Sequence, residues 1–358
     1  MVSIDDKIGM EPRASSRKGL LNPIVSVCFF VLFLACTYNS IISLEDPRKG
    51  SMFSHLKGLH VALDDTKSTS MDSPMPKILV VYSGPSTMTE GNMDKNELYM
   101  RNFEFFLRHG IDCKLQDTIL VLGKQVAPKY KDRIEKMDFA CRNEHSHSIT
   151  ILERENVCYD MESIRLVMHG NVTDILAYDY FIYLNCGLTG PMMPKNETTI
   201  PWTSKFIDKM VGNVTMVGIS HLCSGVTTHV QSMIYCLDKR SMKLIKESNC
   251  VFDCRIWNGL NLTSQESLNR IINQYERGMG RLILNRGYAI TSLTRSKKIT
   301  KENRNDCTDR DLWMTARLNA EYNKIPSLDE VMFFKTSRIL TKETAEIINF
   351  TGRIWWNW

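Results

Sequence analysis

Several short stretches of this chain carry polar side chains where a proton or an anion can be handled. "HVQSM" sets His229 at the head of an apolar run, with Gln231 and Ser232 following. Read as one extended strand, it turns His229 and Gln231 to one face and Ser232 to the other. An imidazole near neutral pH can hold an anion or take a proton, though a lone histidine is often only structural. "QYERGMGRLI" places Glu276 beside Arg277 in a helical stretch. That carboxylate is either a base within reach of an acidic hydrogen or an exposed helix charge. Asp253, in "FDCRIW", competes for the same role. "ERENVCYDMES" supplies Arg154, which suits a phosphate, and Asp160, which suits hydroxyl donors or the cap of a following helix. Asn185 ends the apolar run of "DYFIYLNCGLTGP". Its amide can hydrogen-bond a hydroxyl or a phosphate, but it brings no charge, and asparagine is also an ordinary turn residue. "NDCTDRD" spaces Asp309 and Asp311 like a paired site, but its place at a helix start favours capping.

These residues need elements to hold them. Continuous apolar runs recur at 78–82, 118–123, 148–155, 181–184, 214–220 and 229–238, and helical patterns occupy 94–109 and 161–169. Such runs, interleaved with helices, predict an α/β fold with a mainly parallel sheet covered by helices on both faces. In sheets of this kind a ligand sits beyond the carboxyl ends of the strands. That rule gathers Tyr82-Ser83-Gly84, residues 153–160 and Asn185-Cys186-Gly187 on one rim.

The N-terminus bears on compartment. Residues 21–44, "LNPIVSVCFFVLFLACTYNSIISL", hold no charge and are long enough to span a bilayer. Lys7, Arg13, Arg17 and Lys18 precede them and Arg48, Lys49 and Lys57 follow, which favours a retained signal anchor with a cytosolic tail over 1–20; the denser run 24–36 is the alternative core of a cleaved signal peptide. Residues 45–76 read as a stem and 77–358 as the lumenal body. Asn171, Asn196, Asn213, Asn261 and Asn349 each open an N-x-[ST] sequon beyond the anchor. Of eleven cysteines, Cys28 and Cys36 lie in the anchor. The others are odd in number, so disulfides would leave a thiol, with a homodimer as one outcome. No paired C-x-x-C argues for zinc. A net charge of +5 without a Lys/Arg block gives no nucleic-acid footprint.

Anchor, stem and lumenal α/β body together form the layout of Golgi type II membrane glycosyltransferases. The body resembles nucleotide-sugar transferases of the GT-A kind, including sequences near bacterial rhamnan-synthesis proteins. The resemblance rests on "FIYLNCGLTGPMMP", "WTSKFIDKM" followed by "VGISHLC", "HVQSMIYCLDKRSM", "YERGMGRLILNRGYAITSL" and "SLDEVMFFKTSRIL", in that order. It implies transfer of a sugar from a nucleotide-sugar donor to a glycan or glycoprotein. Donor-binding residues would be Tyr82, Ser83, Arg154, Asp160, Asn185 and Gln231; catalytic candidates would be Glu276, His229 and Asp253. The family's Arg-Glu-Asn-x-Gly-x-Asp segment carries Cys158 here in place of the glycine. Metal-dependent members hold Mn²⁺ or Mg²⁺ on strand-end carboxylates, where this chain has Asn185, so the need for a divalent metal is left open. The alternative is a non-catalytic glycan-binding or scaffold protein on the same fold. The C-terminal Trp355 and Trp356 can stack on a sugar or dock the tail. The absence of a G-x-S-x-G elbow argues against an α/β hydrolase.

Overall fold

The computed structural model describes residues 75–86, 93–155, 158–193, 199–223, 227–248, 269–293, 297–306 and 332–335. By its contacts the chain divides into residues 1–71 and 72–358, and every described residue lies in the second unit. The anchor at 21–44, Asp253, Asn196, Asn261, Asn349, Asp309, Asp311, Trp355 and Trp356 lie outside the described residues. Among the described residues no helix is long and apolar enough to cross a membrane.

A seven-stranded sheet organises the body. Its strands are β1 (Ile78–Ser83), β2 (Gln116–Gly123), β3 (Ile149–Arg154), β4 (Tyr180–Asn185), β6 (Val214–Gly218), β9 (Ile234–Asp238) and β10 (Ala289–Ser292). Their spatial order is β10-β6-β9-β4-β1-β2-β3. All neighbouring pairs are parallel except those of β9, which runs antiparallel to both β4 and β6. Short ribbons join β5 (Leu188–Thr189) to β11 (Phe334–Lys335), and β7 (His221–Leu222) to β8 (His229–Val230).

Side-chain alternation along the strands builds a core on each face. Val80, Tyr82, Leu120, Leu122, Ile182 and Leu184 face one cluster, whose helical side comes from α1 (Met93–His109) and α2 (Ala127–His145). Leu79, Val81, Val121, Phe181 and Tyr183 face the other, beneath α3 (Met161–His169), α5 (Lys239–Ser248) and α6 (Arg277–Asn285); the short α4 (Ser204–Ile207) belongs to the first side. The expected mainly parallel sheet with helices on both faces is the fold observed. A disulfide between Cys113 and Cys141 ties the start of β2 to α2.

Two expectations are corrected. "HVQSMIYCLD" is not one strand. His229 and Val230 pair with β7, and the Gln231 backbone N–H donates to the Ser220 carbonyl, 3.1 Å away. The chain then turns, and β9 starts only at Ile234. The same-face argument for His229 and Gln231 therefore fails, because period-two alternation needs an unbroken strand. Likewise "VTMVGIS" is a strand only as far as Gly218.

Gly190 sits where only glycine fits. Its φ is +148°, and a Cβ there would lie 2.5 Å from the Met332 carbonyl oxygen. This opening lets the segment at 332–335 lie against β5, just beyond the end of β4.

Candidate active site

The carboxyl ends of β1 and β4 lie side by side, with Ser83 paired to Asn185. Ser83 is turned toward α3, where its hydroxyl lies 2.7 Å from that of Ser163. Tyr82, its neighbour, faces the opposite core. The Tyr82 ring stacks on Phe106 with centroids 4.3 Å apart, and its hydroxyl has no hydrogen-bond partner among the described residues. Burial pushes the Tyr82 phenol well above its usual range. Its side chain belongs to the core and not to the rim where the sequence reading set it. A phenol held this way loses nothing by becoming phenylalanine. Tyr82→Phe is expected to leave ligand affinity unchanged and to alter stability by less than about 1 kcal/mol, in the stabilising direction. Urea denaturation and titration calorimetry check the two halves.

The loop after β3 is built to deliver Asp160. Arg154 donates through Nη1 to the carbonyls of Tyr159 (2.9 Å) and Glu155 (3.3 Å). The guanidinium is buried and holds its own loop, an arrangement different from the phosphate contact the sequence suggested. Cys158 and Tyr159 both take left-handed backbone angles, with φ of 55° and 52°. The cysteine thus adopts the conformation that a glycine would favour at this position, at a cost of about 1 kcal/mol or more. Cys158 is buried and disulfide-bonded.

Asp160 stands at the N-cap of α3, yet its side chain caps nothing. Instead Oδ2 accepts from the Asn185 amide at 2.7 Å and from the Tyr183 hydroxyl at 3.0 Å. Asn185 Oδ1 in turn accepts the Gly187 N–H at 3.0 Å. Asp160 and Asn185, singled out separately in the sequence, are direct partners. Beneath them, Tyr235 packs its ring 5.3 Å from that of Tyr183. Burial, then the Asp160 charge, raise the Tyr235 phenol well above its usual range.

β9 joins this half of the rim to the other. The Asn185 backbone N–H donates to the Met233 carbonyl at 3.0 Å. Met233 closes the turn that begins at Gln231, and the backbone N–H of Ser232 donates to Glu276 Oε1 at 3.0 Å. The same carboxylate oxygen lies 3.8 Å from His229 Nε2. Glu276 ends a π-helical turn, Ile272–Glu276, that runs into α6. Such turns recur at functional sites because the extra residue redirects a side chain. Gly280 lets α6 come close: a Cβ there would lie 3.0 Å from His229 Cβ and 3.3 Å from the Thr228 carbonyl.

His229 is 2% exposed. Its Nδ1 lies 2.6 Å from the Thr227 carbonyl, which can only accept, so Nδ1 carries the hydrogen. Burial lowers its pKa, against the pull of Glu276 and the Thr227 carbonyl, and Arg277 and His221 also lower it. With the folded-state value depressed, the unfolded chain binds the proton more readily. Stability from this group is complete above about pH 6.5, the unfolded value, and is lost as pH falls below it. Thermal melts between pH 7.5 and 5 should therefore steepen their decline below pH 6.5. His229→Gln should lose that part of the decline.

Gln231 is placed differently from the expectation. Its Oε1 accepts from the Ser220 hydroxyl at 2.5 Å, so it braces the loop after β6. Several residues were missed in the sequence. Asn102, buried on α1, donates to the Cys186 carbonyl at 2.8 Å and accepts from Thr189, holding the loop beyond β4. It sits among Leu98, Phe103, Phe106 and Leu107, the apolar side of α1, and a polar residue inside such a stripe was the available signal. His221 meets Ser292 at 2.9 Å, on β10, a contact that no local pattern announces. Of the sequons described, Asn171 is exposed past α3. Asn213 has its amide engaged, donating to the Gly287 carbonyl (3.3 Å) and accepting from Lys298 (2.9 Å).

No protein-family model matches the chain, and no curated protein matches it. Solved structures do show likeness. A mannosyltransferase of Pyrobaculum calidifontis, in complex with GDP-Man and Mn²⁺, aligns at 7% identity over 62% of this chain and 55% of that one, with a TM-score of 0.39. The glycosyltransferase GlyE of Streptococcus pneumoniae aligns at 13% identity over 56% and 45%, with a TM-score of 0.31. A glycosyltransferase involved in glycosylation of the major capsid of PBCV-1 aligns at 10% identity over 78% and 100%, with a TM-score of 0.36. The chain spans about half the length of the first two.

Proposed function

We propose that this protein is a glycosyltransferase that moves a sugar from a nucleotide-sugar donor to a hydroxyl of a glycan or glycoprotein. One observation carries the reading. The Asp160–Asn185 pair and the Glu276–His229 pair meet on a single rim, linked by the hydrogen bond from Asn185 N–H to the Met233 carbonyl. The first pair lies at the carboxyl ends of parallel strands, where such sheets bind ligands. The second offers a base beside it. In the reaction Glu276 takes the acceptor hydroxyl's proton as that oxygen bonds to the sugar's anomeric carbon. The bond from that carbon to the diphosphate oxygen breaks, and the nucleoside diphosphate leaves with the electron pair. His229, buried at the back of Glu276, limits where the carboxylate can turn.

The described residues of the rim do not by themselves fit a divalent cation. Among the described residues no group of three or more His, Cys, Asp or Glu is placed to hold one. Asn185 stands where the resemblance would place a second carboxylate.

The reading extends to a type II membrane protein of the Golgi or another secretory membrane, anchored by residues 21–44, with its body lumenal. The uncharged anchor segment, the sequons beyond it and the Cys113–Cys141 disulfide support that placement, since disulfides persist in oxidising compartments. A homodimer belongs to the same reading. The full chain, made in a secretory host and held in detergent, tests the proposal on a panel of nucleotide sugars with Mn²⁺ and with EDTA. Slow release of nucleotide from one donor is expected. Folded protein that binds and hydrolyses none would leave the non-catalytic glycan-binding reading.

A further inference from the structure

We infer that Asp160 supplies, from the loop after β3, the strand-end carboxylate that β4 lacks, with Asn185 as its positioning residue, and that this carboxylate receives hydroxyl hydrogens of the donor. The inference rests on the donor-site reading above and says which atom does the recognising.

Asn185 ends β4, but its amide is engaged within the protein at both ends, toward Asp160 and toward Gly187. Asp160 Oδ2 takes two hydrogens, from Asn185 and Tyr183, while Oδ1 accepts none among the described residues. An aspartate at an N-cap ordinarily turns back on the helix, which is worth about 1 kcal/mol. Here it turns to β4 instead, from a loop braced by Arg154 and holding two left-handed residues. A carboxylate oriented this firmly, with one oxygen taken by no described residue, suits directional donors. Charge-assisted hydrogen bonds from hydroxyls are short and strong, and a vicinal diol offers two. Nucleotide sugars carry such diols on the ribose and on the transferred sugar.

The rival explanation is that Asp160 merely ties loop to strand. Exchanging the two residues separates the explanations. The double variant Asp160→Asn with Asn185→Asp keeps an amide-to-carboxylate bond between the positions but moves the charge onto β4. Titration calorimetry on the full chain would use UDP-glucose, UDP-galactose, UDP-xylose and GDP-mannose, the bare diphosphates UDP and GDP, and their 2′-deoxy forms. Asp160→Asn is expected to weaken the donor that wild type binds by about 10- to 100-fold, the range for a hydrogen bond to a charged group. The double variant should melt like wild type yet remain at least about 10-fold weaker. If the diol is the ribose's, the 2′-deoxy diphosphate binds wild type as weakly as the ordinary one binds Asp160→Asn. If it is the transferred sugar's, Asp160→Asn leaves bare diphosphate binding unchanged. Wild-type affinity in Asp160→Asn, or in the double variant, overturns the inference while the donor site stands. Should Asp160→Asn fail to fold, Asn185→Ser carries the test, with a loss of about 3- to 10-fold expected and wild-type affinity overturning it. A wild-type chain that binds no member of the panel removes the donor-site reading itself, and this inference with it.

Discussion

Replacing Glu276 with glutamine is expected to lower kcat by about 10²- to 10⁴-fold and to leave the melting temperature unchanged. Glutamine keeps an oxygen where Oε1 now accepts the Ser232 N–H, so the turn at 231–233 stays anchored. What it cannot do is take a proton. The acceptor hydroxyl would still bind, so KM should move little while kcat falls, the pattern of an interaction made only in the transition state. Single-turnover transfer from the preferred donor is the direct measurement. A loss below about threefold would show that the proton goes elsewhere. Asp253, outside the described residues, is the other carboxylate that the sequence singles out.

The largest effect on stability is expected at Phe106, where alanine should cost about 3–5 kcal/mol. The ring is fully buried between β1 and α1, stacked on Tyr82 and close to Phe103. Gly110 has made room for it: a Cβ there would lie 2.2 Å from the ring. Removing the ring opens a void that neither Tyr82, fixed in its strand, nor a glycine can fill. Midpoints in urea should fall accordingly, and the melting temperature by on the order of 10 °C. The same helix carries Asn102, one turn earlier, which holds the loop beyond β4. Phe106→Ala should therefore also loosen that loop, read as faster proteolysis near residues 186–190. A change below about 1 kcal/mol would mean that the core is not packed as described.

Six of the seven strands of the sheet were legible because each is an apolar run too continuous for an exposed face; β10, four residues long at the sheet edge, was not. α1 was legible from the spacing of Phe103, Phe106 and Leu107. The break inside "HVQSMIYCLD" was not. Val230, Met233 and Ile234 read as one hydrophobic stretch, and the turn is set by a bond to Ser220 that local pattern does not carry. Tyr82 and Ser83 were grouped as rim residues by position alone, although neighbours in a strand point to opposite faces. Ser83 is buried against Ser163 of α3, and Tyr82 points into the opposite core. Asp160 and Asn185 were each noticed for their chemistry. Their pairing could not be read, since it depends on where a loop with two left-handed residues lays the first across the end of the strand that carries the second. His229 and Glu276 are likewise brought together by β8 meeting α6, a tertiary event permitted by Gly280.

The antiparallel strand β9 has a consequence for how the chain is made. β4 and β6 are synthesised first and are not neighbours; β9 arrives later and must enter a slot between them about 10 Å wide. Until it does, β4 presents a bare edge of unpaired backbone groups carrying Tyr180, Phe181, Ile182, Tyr183 and Leu184. Such an edge is a template for pairing with another chain. A nascent chain that folds β1 and β4 together before residue 234 emerges passes through this state, and a product truncated before residue 234 would remain in it. Aggregation of such fragments, relieved when β9 is restored, is the risk that this order of strands builds in.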